Sequence, residues 1–208
     1  MKGASPFFAM LSRMRLIQRW GLMRNTRAEN VQEHSLQVAV IAHALALISN
    51  RDFGAAFNAD RVAVLAMFHD ASEILTGDLP TPVKYGSEAV RAAYKALEQQ
   101  AEQRLLELLP QDLRADYAPL LDSRMVGEAE RGLVKAADSI AGYLKCVEEA
   151  GAGNREFIRA EKALLHKIED CAAQIPAVQV FMQRYAPAFA LSLDEISHSP
   201  FSESVNRL

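Results

Sequence analysis

Residues 30–49 read NVQEHSLQVAVIAHALALIS, and residues 65–84 read LAMFHDASEILTGDLPTPVK. In the first stretch Val38, Ile41 and Leu45 follow His34 at spacings of 4, 7 and 11, which sets one imidazole in an apolar stripe on a single helix face. Asn30-x-x-Glu33 has the form of a capping box, so the helix is expected to open there and to end near Ser49. It is apolar almost all round, which predicts a central position. In the second stretch Val62 and Leu65 precede His69 by 7 and 4 residues, so this histidine also turns inward. Asn58 is a fitting cap for that helix, and Gly77 marks its end. Two apolar helices, each burying a histidine, point to an all-α fold.

The rest of the chain continues the pattern. Ser5-Pro6 can open a first helix that runs to about Trp20 and stops at Gly21. GDLPTPVKYG, with two prolines, cannot be helical throughout. Amphipathic helices are predicted over residues 88–109, ended by Pro110, over 113–121, and over 128–149 before the Gly151/Gly153 pair. Asn154 can cap another reaching about Gln174, Pro176 can start one more, and Ser192-x-x-Glu195 is a second capping box. The last ten residues read as a loose tail. No alternating strand pattern, internal repeat or linker interrupts the chain. The expectation is one all-α domain over residues 1–208, ordered over about 5–197, a helical bundle of about seven to nine helices.

A 208-residue chain that is 50% hydrophobic and 24% charged can bury a substantial core. Its formal charge of −3 gives no general attraction for nucleic acid or anionic membranes, so neither is expected as a partner. An anionic substrate would have to be held by a local feature, a metal or an arginine. Cys146 and Cys171 form no CxxC and read as small buried hydrophobes. The N-terminal MKGASPFFAMLSRMRL is broken by Ser12, Arg13 and Arg15 and lacks the core of a signal peptide. The apolar run over residues 38–48 is too short to span a bilayer. A cytoplasmic location is therefore expected.

Asp70 follows His69 directly, and Asp138 lies in the small apolar segment AADSIAG. Buried carboxylates are costly unless paired, hydrogen-bonded or bound to a metal. Two inward histidines with two such aspartates satisfy one divalent ion with mixed nitrogen and oxygen ligands. Each residue alone has an ordinary reading, a satisfied core histidine or an ion-paired aspartate, and an HD dipeptide arises readily by chance. The joint order H…HD…D is what favours a metal.

That order, carried by FFAMLSRMRLIQRW, LMRNTRAENVQEHSLQVAVIAHALA, LAMFHDASEILTGDLPTPVKY, LVKAADSIAGYLKCVEE and LSLDEIS, resembles the HD-domain superfamily of metal-dependent phosphohydrolases, and most closely its bacterial 5′-deoxynucleotidases. The resemblance implies hydrolysis of deoxyribonucleoside 5′-monophosphates to deoxynucleoside and phosphate, by attack of a water held on the metal. It implies His34, His69, Asp70 and Asp138 as ligands of one divalent transition-metal ion, with Co, Mn, Zn, Fe, Ni and Cu all admissible. It gives Arg19 the orientation of the substrate phosphate and gives Glu73 and Asp78 the handling of the attacking water. It places Trp20 and the Asp78-Leu79-Pro80-Thr81 segment against the nucleotide, alongside His34, Asp70 and Asp138, with Trp20 monitoring the missing 2′-hydroxyl. It also implies a homodimer.

Elementary chemistry is compatible with these roles. Glu73, four residues after His69 and three after Asp70, can share their helix side and accept a proton from a water acidified by the ion. Arg19, expected near the end of the first helix, can grip a phosphate bidentately. Without the resemblance, Glu73 reads as an exposed helix glutamate, Asp78 as a turn former and Trp20 as a partly buried core residue. His43 lies two and a half turns from His34 on the opposite face, and His166 and His198 sit in polar segments, so one metal is expected rather than two. The alternatives are another nucleotide phosphohydrolase, cleaving triphosphates, (p)ppGpp or cyclic nucleotides, or a helical module that only senses nucleotides. Beyond Asp78 the loop offers chiefly Lys84, which favours a monophosphate, and two extra carboxylates beside a purely structural ion would be a liability.

Overall fold

Asn30 accepts a hydrogen bond from the Glu33 N–H at 3.0 Å and starts helix α2, Val31–Phe53. The computed structural model describes residues 3–84 and 86–198; the expected loose tail over the last ten residues lies outside them. The helix runs one turn beyond the expected Ser49 because Gly54, with φ 68°, supplies the left-handed cap that an L side chain resists. Asn58 accepts from the Arg61 N–H at 2.9 Å and opens α3, Ala59–Phe68.

The single helix expected from Asn58 to Gly77 is two. After Phe68 the backbone bonds tighten to the i+3 pattern, with Ala71 N–H reaching the Phe68 carbonyl and Glu73 N–H reaching the Asp70 carbonyl, both at 3.0 Å. The Ala66 carbonyl is also taken by the His69 imidazole Nδ1 at 2.7 Å. Helix α4, Glu73–Thr76, follows, and the proline segment contributes only the short α5, Thr81–Lys84.

The remaining helices are α6 (Glu88–Glu107), α7 (Gln111–Leu121), α8 (Glu128–Gly151), α9 (Ile158–Gln174), α10 (Pro176–Arg184) and α11 (Leu193–His198), the last opened by the Ser192/Glu195 capping box. With α1 (Phe7–Leu11) included, the described residues form eleven α-helices, seven of them nine residues or longer, where about seven to nine were expected. Among the described residues the only β feature is an isolated antiparallel bridge between Gln18 and Asn30.

That bridge corrects the first helix. α1 gives way to a 3-10 turn over Ser12–Leu16, and at Ile17 the chain is extended. Residues 17–19 are captured by the approach to α2: Val31 N–H bonds the Ile17 carbonyl at 3.0 Å, and Arg19 N–H bonds the Glu29 carbonyl at 2.9 Å. Arg19 and Trp20 therefore belong to a hydrogen-bonded loop and not to a helix end.

The main core is built by α2, α3, α8, α9 and α10, with Val38, Leu45, Val62, Leu133, Ile140 and Leu144 buried at its centre. A smaller core packs Phe7 and Ala71 on Leu105 and Leu106 of α6, Leu121 of α7 and Leu109 between them. By length and composition α2 could cross a membrane, yet it is the helix around which this core is assembled.

The loop between Trp20 and α2 is clamped to the last turns of α8 by a buried ion pair, Lys145 with Glu149, which are 5% and 1% exposed. Glu149 also accepts from Thr26 N–H and Oγ1 at 2.9 and 2.8 Å and from Asn154 Nδ2 at 2.7 Å, while Lys145 Nζ donates to the Arg27 carbonyl at 2.6 Å. Burial pushes the Glu149 carboxyl up, but Lys145, Thr26 and Asn154 outweigh it and hold the group below the usual glutamate range. Removing one member of such a pair leaves the other charged and buried, so Glu149→Ala should cost about 3 kcal/mol or more. A folded-state value below the unfolded 4.5 adds stability above that pH and loses it as pH falls further. The gap in urea midpoint between the native chain and Glu149→Gln should accordingly be widest near neutrality and shrink in acid; a gap constant from pH 7 to pH 3 would contradict the account.

Candidate metal centre and active site

Three core helices meet at the site. α2 supplies His34 from its first turn, the tight winding after α3 supplies His69 and Asp70, and α8 supplies Asp138 from its middle. His34, His69 and Asp70 each bring a ligand-type atom within 4.8 Å of the others. Asp138 Oδ1 lies 3.1 Å from His34 Nε2, and Asp70 Oδ2 lies 3.7 Å from the same nitrogen. The four residues picked out by the order H…HD…D are thus brought together.

Their chemistry fits a divalent ion. His69 Nδ1 reaches the Ala66 carbonyl at 2.7 Å, an acceptor only, so Nδ1 carries the proton and Nε2 can present its lone pair. That Nε2 is buried and makes no hydrogen bond, although Asp70 Oδ2 is 3.1 Å away. The two atoms converge without hydrogen-bond geometry, as two ligands do on a shared ion. Burial opposes charge on the Asp138 carboxyl, yet His34, His69 and Arg19 hold it far below the usual range. Burial likewise opposes charge on Asp70, and His69 and His34 bring it to about 2. His69 is pulled down by burial but driven to about 9 by Asp70 and Asp138. The cluster thus draws in positive charge, as a cation site must.

Glu73 sits at the start of α4, buried, with Oε2 lacking any hydrogen-bond partner. Burial, then the Asp70 and Asp78 carboxylates, push it up to about 9 against the pull of Arg19 and Lys84. It is therefore not the exposed helix glutamate of the ordinary reading. Asp78 is half-buried and raised chiefly by burial; Arg19 opposes that rise, and the Trp20 backbone N–H reaches its carboxylate. Asp78 lies in the loop of residues 77–80, where Leu79 and Pro80 are half-buried, and Thr81, exposed, starts α5. Helix α6 holds this loop: Tyr94 Oη donates to the Gly77 carbonyl at 3.1 Å, and Lys84 Nζ pairs with Glu98 at 2.8 Å.

On the other side Arg19 Nη1 donates to Glu29 Oε2 at 2.9 Å and meets His34 Nδ1 at 2.6 Å. Trp20 adopts φ 58°, which no other described non-glycine residue does, a left-handed conformation that is rare for a bulky side chain and concentrates at functional sites. Its ring lies 5.3 Å from that of Phe157 and reaches to α8 at Gly142, where a Cβ would stand 3.3 Å from Leu164 and 3.9 Å from the indole. Gly142 is one helical turn beyond Asp138, so the indole packs on the side of α8 that carries Asp138.

Two other sequence readings can be placed. His43 is partly exposed and pairs with Asp60 at 3.4 Å, away from the cluster. Cys146 and Cys171 are unpaired, and burial pushes the Cys146 thiol up to about 12. The residue that sequence reasoning missed is Glu29. It is buried and binds both Arg19 and Trp20, but in the sequence it is simply a glutamate ahead of a helix cap.

An all-α bundle with this His-Asp set on its core helices has the architecture of an HD-domain protein. Residues 6–189 match the model of the YfbR-like 5′-deoxynucleotidases. A 5′-deoxynucleotidase YfbR of Escherichia coli (strain K12 / DH10B) is 54% identical over 193 residues, covering 93% of this chain and 96% of that protein. An HD-domain phosphohydrolase of Listeria innocua superposes with a TM-score of 0.77 at 23% identity, over 92% of this chain and 91% of that one. The HD phosphohydrolase of cyanophage S-2L, bound to dA and one catalytic Zn2+ ion, has the same fold with a TM-score of 0.63 at 18% identity, over 88% and 95% of the two chains. The chain belongs to the YfbR-like 5′-deoxynucleotidase family.

The raised Glu73 value has a consequence for the metal-free protein. An acid whose folded value lies above its unfolded 4.5 destabilises the fold as pH rises from 4.5 towards 9, because only the unfolded chain then ionises freely. Glu73→Gln should therefore stabilise metal-free protein at pH 8 by about 1 kcal/mol or more, with the gain closing towards pH 4.5. Urea unfolding in the presence of a chelator at both pH values reads this directly; a variant less stable than the native chain at pH 8 would refute it.

Proposed function

We propose that this chain is a metal-dependent 5′-deoxynucleotidase that hydrolyses deoxyribonucleoside 5′-monophosphates to a deoxynucleoside and inorganic phosphate. The observation that carries the reading is the buried Glu73 carboxyl, with an unpartnered Oε2, beside a His-Asp cluster that attracts positive charge. A purely structural ion would need the cluster and have no use for Glu73.

His34, His69, Asp70 and Asp138 would hold one divalent transition-metal ion, which supplies Lewis-acid charge to a phosphate oxygen and acidity to water. Arg19 binds the phosphate. Its Nη1 is engaged by Glu29, and the three N–H bonds of Nε and Nη2 are the ones left to grip two phosphate oxygens. With an ion in the cluster to favour its ionised form, Glu73 takes the proton of the attacking water at Oε2, a buried atom that no other group engages. The water oxygen bonds to phosphorus while the bond from phosphorus to the 5′ oxygen breaks, and that oxygen takes a proton from solvent to leave as the deoxynucleoside hydroxyl. Asp78, opposite Arg19 and beside Glu73, keeps that water in place. Trp20 and residues 78–81 close on the nucleoside, with the indole edge where a 2′-hydroxyl would project.

Phosphate release from dAMP, AMP and dATP with a panel of divalent ions tests the reading, and we expect hydrolysis of dAMP alone, abolished by chelation. Glu73→Ala should bind metal and dAMP yet lose turnover about a hundredfold or more. Trp20→Ala should raise AMP hydrolysis relative to dAMP. Full turnover by the Glu73 variant, or an unchanged dAMP-to-AMP ratio in the Trp20 variant, would remove the assigned role.

The working form proposed is a cytoplasmic homodimer. Two unpaired cysteines suit a reducing compartment. On α2 the outward face carries Leu36, Val40 and Leu47, which are 58%, 64% and 50% exposed. The stripe is self-complementary. Laid antiparallel on a second copy, Leu36 opposes Leu47, Val40 opposes His43, and Glu33 comes near Arg51. Val40→Glu combined with Leu47→Glu should convert a dimer into a folded monomer in size-exclusion chromatography with light scattering; a dimer that survives both substitutions uses another face.

A further inference from the structure

Glu29 is buried, lies immediately before the Asn30 cap, and makes three contacts that together span the substrate side of the site. A single oxygen, Oε2, accepts from Arg19 Nη1 and from Trp20 Nε1, each at 2.9 Å. The other oxygen, Oε1, stands 3.8 Å from His34 Nδ1. Its own carbonyl accepts the Arg19 N–H, so backbone and side chain both hold Arg19.

The contact between Arg19 and His34 adds a proton argument. A guanidinium can only donate, so His34 Nδ1 accepts from Arg19, which puts the ring proton on Nε2 facing Asp138 Oδ1 at 3.1 Å. For Nε2 to act as a metal ligand the proton must sit on Nδ1 instead. Arg19 then has to leave that nitrogen, and Glu29 Oε1 is the carboxylate oxygen standing next to it. Glu29 is thus placed to hold Arg19 and Trp20 in register with the ligand cluster and to fix the tautomer of His34.

We infer that Glu29 is the positioning residue of the nucleotide site, orienting the phosphate-binding Arg19 and the sugar-facing Trp20 through one carboxylate and supporting His34 from behind. The inference rests on the proposed deoxynucleotidase reading for its catalytic consequence, though not for its geometry.

Trp20 is the only tryptophan in the chain, so its fluorescence reports the grip of Glu29 without any turnover. Metal-free Glu29→Ala and the near-isosteric Glu29→Gln would be compared with the native chain by emission spectrum and acrylamide quenching. Affinity for Mn2+ and steady-state kinetics on dAMP and AMP would complete the set. The expected result is a shifted and more quenchable emission in Glu29→Ala, with Glu29→Gln nearer the native spectrum because its amide oxygen can still accept the indole N–H. Both variants should bind Mn2+ about tenfold more weakly. In Glu29→Ala the KM for dAMP should rise about tenfold and the dAMP-to-AMP preference should fall, Glu29→Gln recovering the preference more than the KM. Folded variants with native emission, Mn2+ affinity and sugar preference would overturn the inference. Altered emission and Mn2+ affinity in the variants, with a native chain that hydrolyses neither nucleotide, would uphold the geometry and discard the deoxynucleotidase reading instead.

Discussion

Negative charge gathered where α2, α3 and α8 meet is the constraint on which the rest of the structure depends. Asp70, Asp138, Glu73 and Asp78 bring four carboxylates around two imidazoles and one guanidinium. Burying that many carboxylates is unfavourable unless positive charge joins them. The metal-free chain meets the demand from within: His69 is driven towards its charged form, Glu73 keeps its proton, and Arg19 leans in from the loop. Each of these is a compromise that a divalent cation would relieve. The carboxylates that raise Glu73 and those that would hold the cation overlap at Asp70, so the cost to the fold and the proposed metal site have one physical origin.

The polar half of the site is positioned by a single face of α8. Asp138, Gly142, Lys145 and Glu149 follow one another at spacings of 4, 3 and 4, which keeps them on one side of the helix. Asp138 points to the cluster, Gly142 makes room for the Trp20 ring, and Lys145 with Glu149 hold the backbone at Thr26 and Arg27. The loop carrying Arg19 and Trp20 is consequently fixed at both ends, by the bridge of Gln18 to Asn30 and by a buried ion pair. A loop held this way can keep a strained tryptophan backbone that an open loop would release.

The parts of this arrangement that could be read from the sequence are those encoded locally. Asn30 and Asn58 cap the predicted helices, Ser192 and Glu195 close their box, and α6, α7 and α8 begin within two residues of expectation. His34 and His69 could be singled out because helical periodicity says which way a side chain faces, Asp70 because it follows His69 directly, and Asp138 because its surroundings are small and apolar. What periodicity could not show was the region over residues 12–20, where arginines and apolar residues continue a helix pattern that long-range bonds to Glu29 and Val31 override. It also missed the tightening after Phe68, which depends on a side chain competing for the Ala66 carbonyl. Glu29 left no local sign at all. The apolar composition of α2 suggested burial on every side, whereas Leu36, Val40 and Leu47 face outward.

The proposed sugar preference has a physical ceiling set by the same geometry. An apolar wall rejects a substrate that merely adds a hydroxyl by only about a hundredfold, because a flexible wall can yield and the hydroxyl can turn towards water. Stronger discrimination needs a wall that cannot yield and a place where the hydroxyl finds no partner. Trp20 meets the first condition: its backbone is held by neighbouring hydrogen bonds, its ring is set against Phe157 and Gly142, and its indole N–H is already committed to Glu29. That last contact bears on the second condition too, since an indole nitrogen bound to Glu29 is not available to a 2′-hydroxyl. In the proposed reading, the carboxylate that orients the indole thereby also withholds its N–H from a ribose hydroxyl.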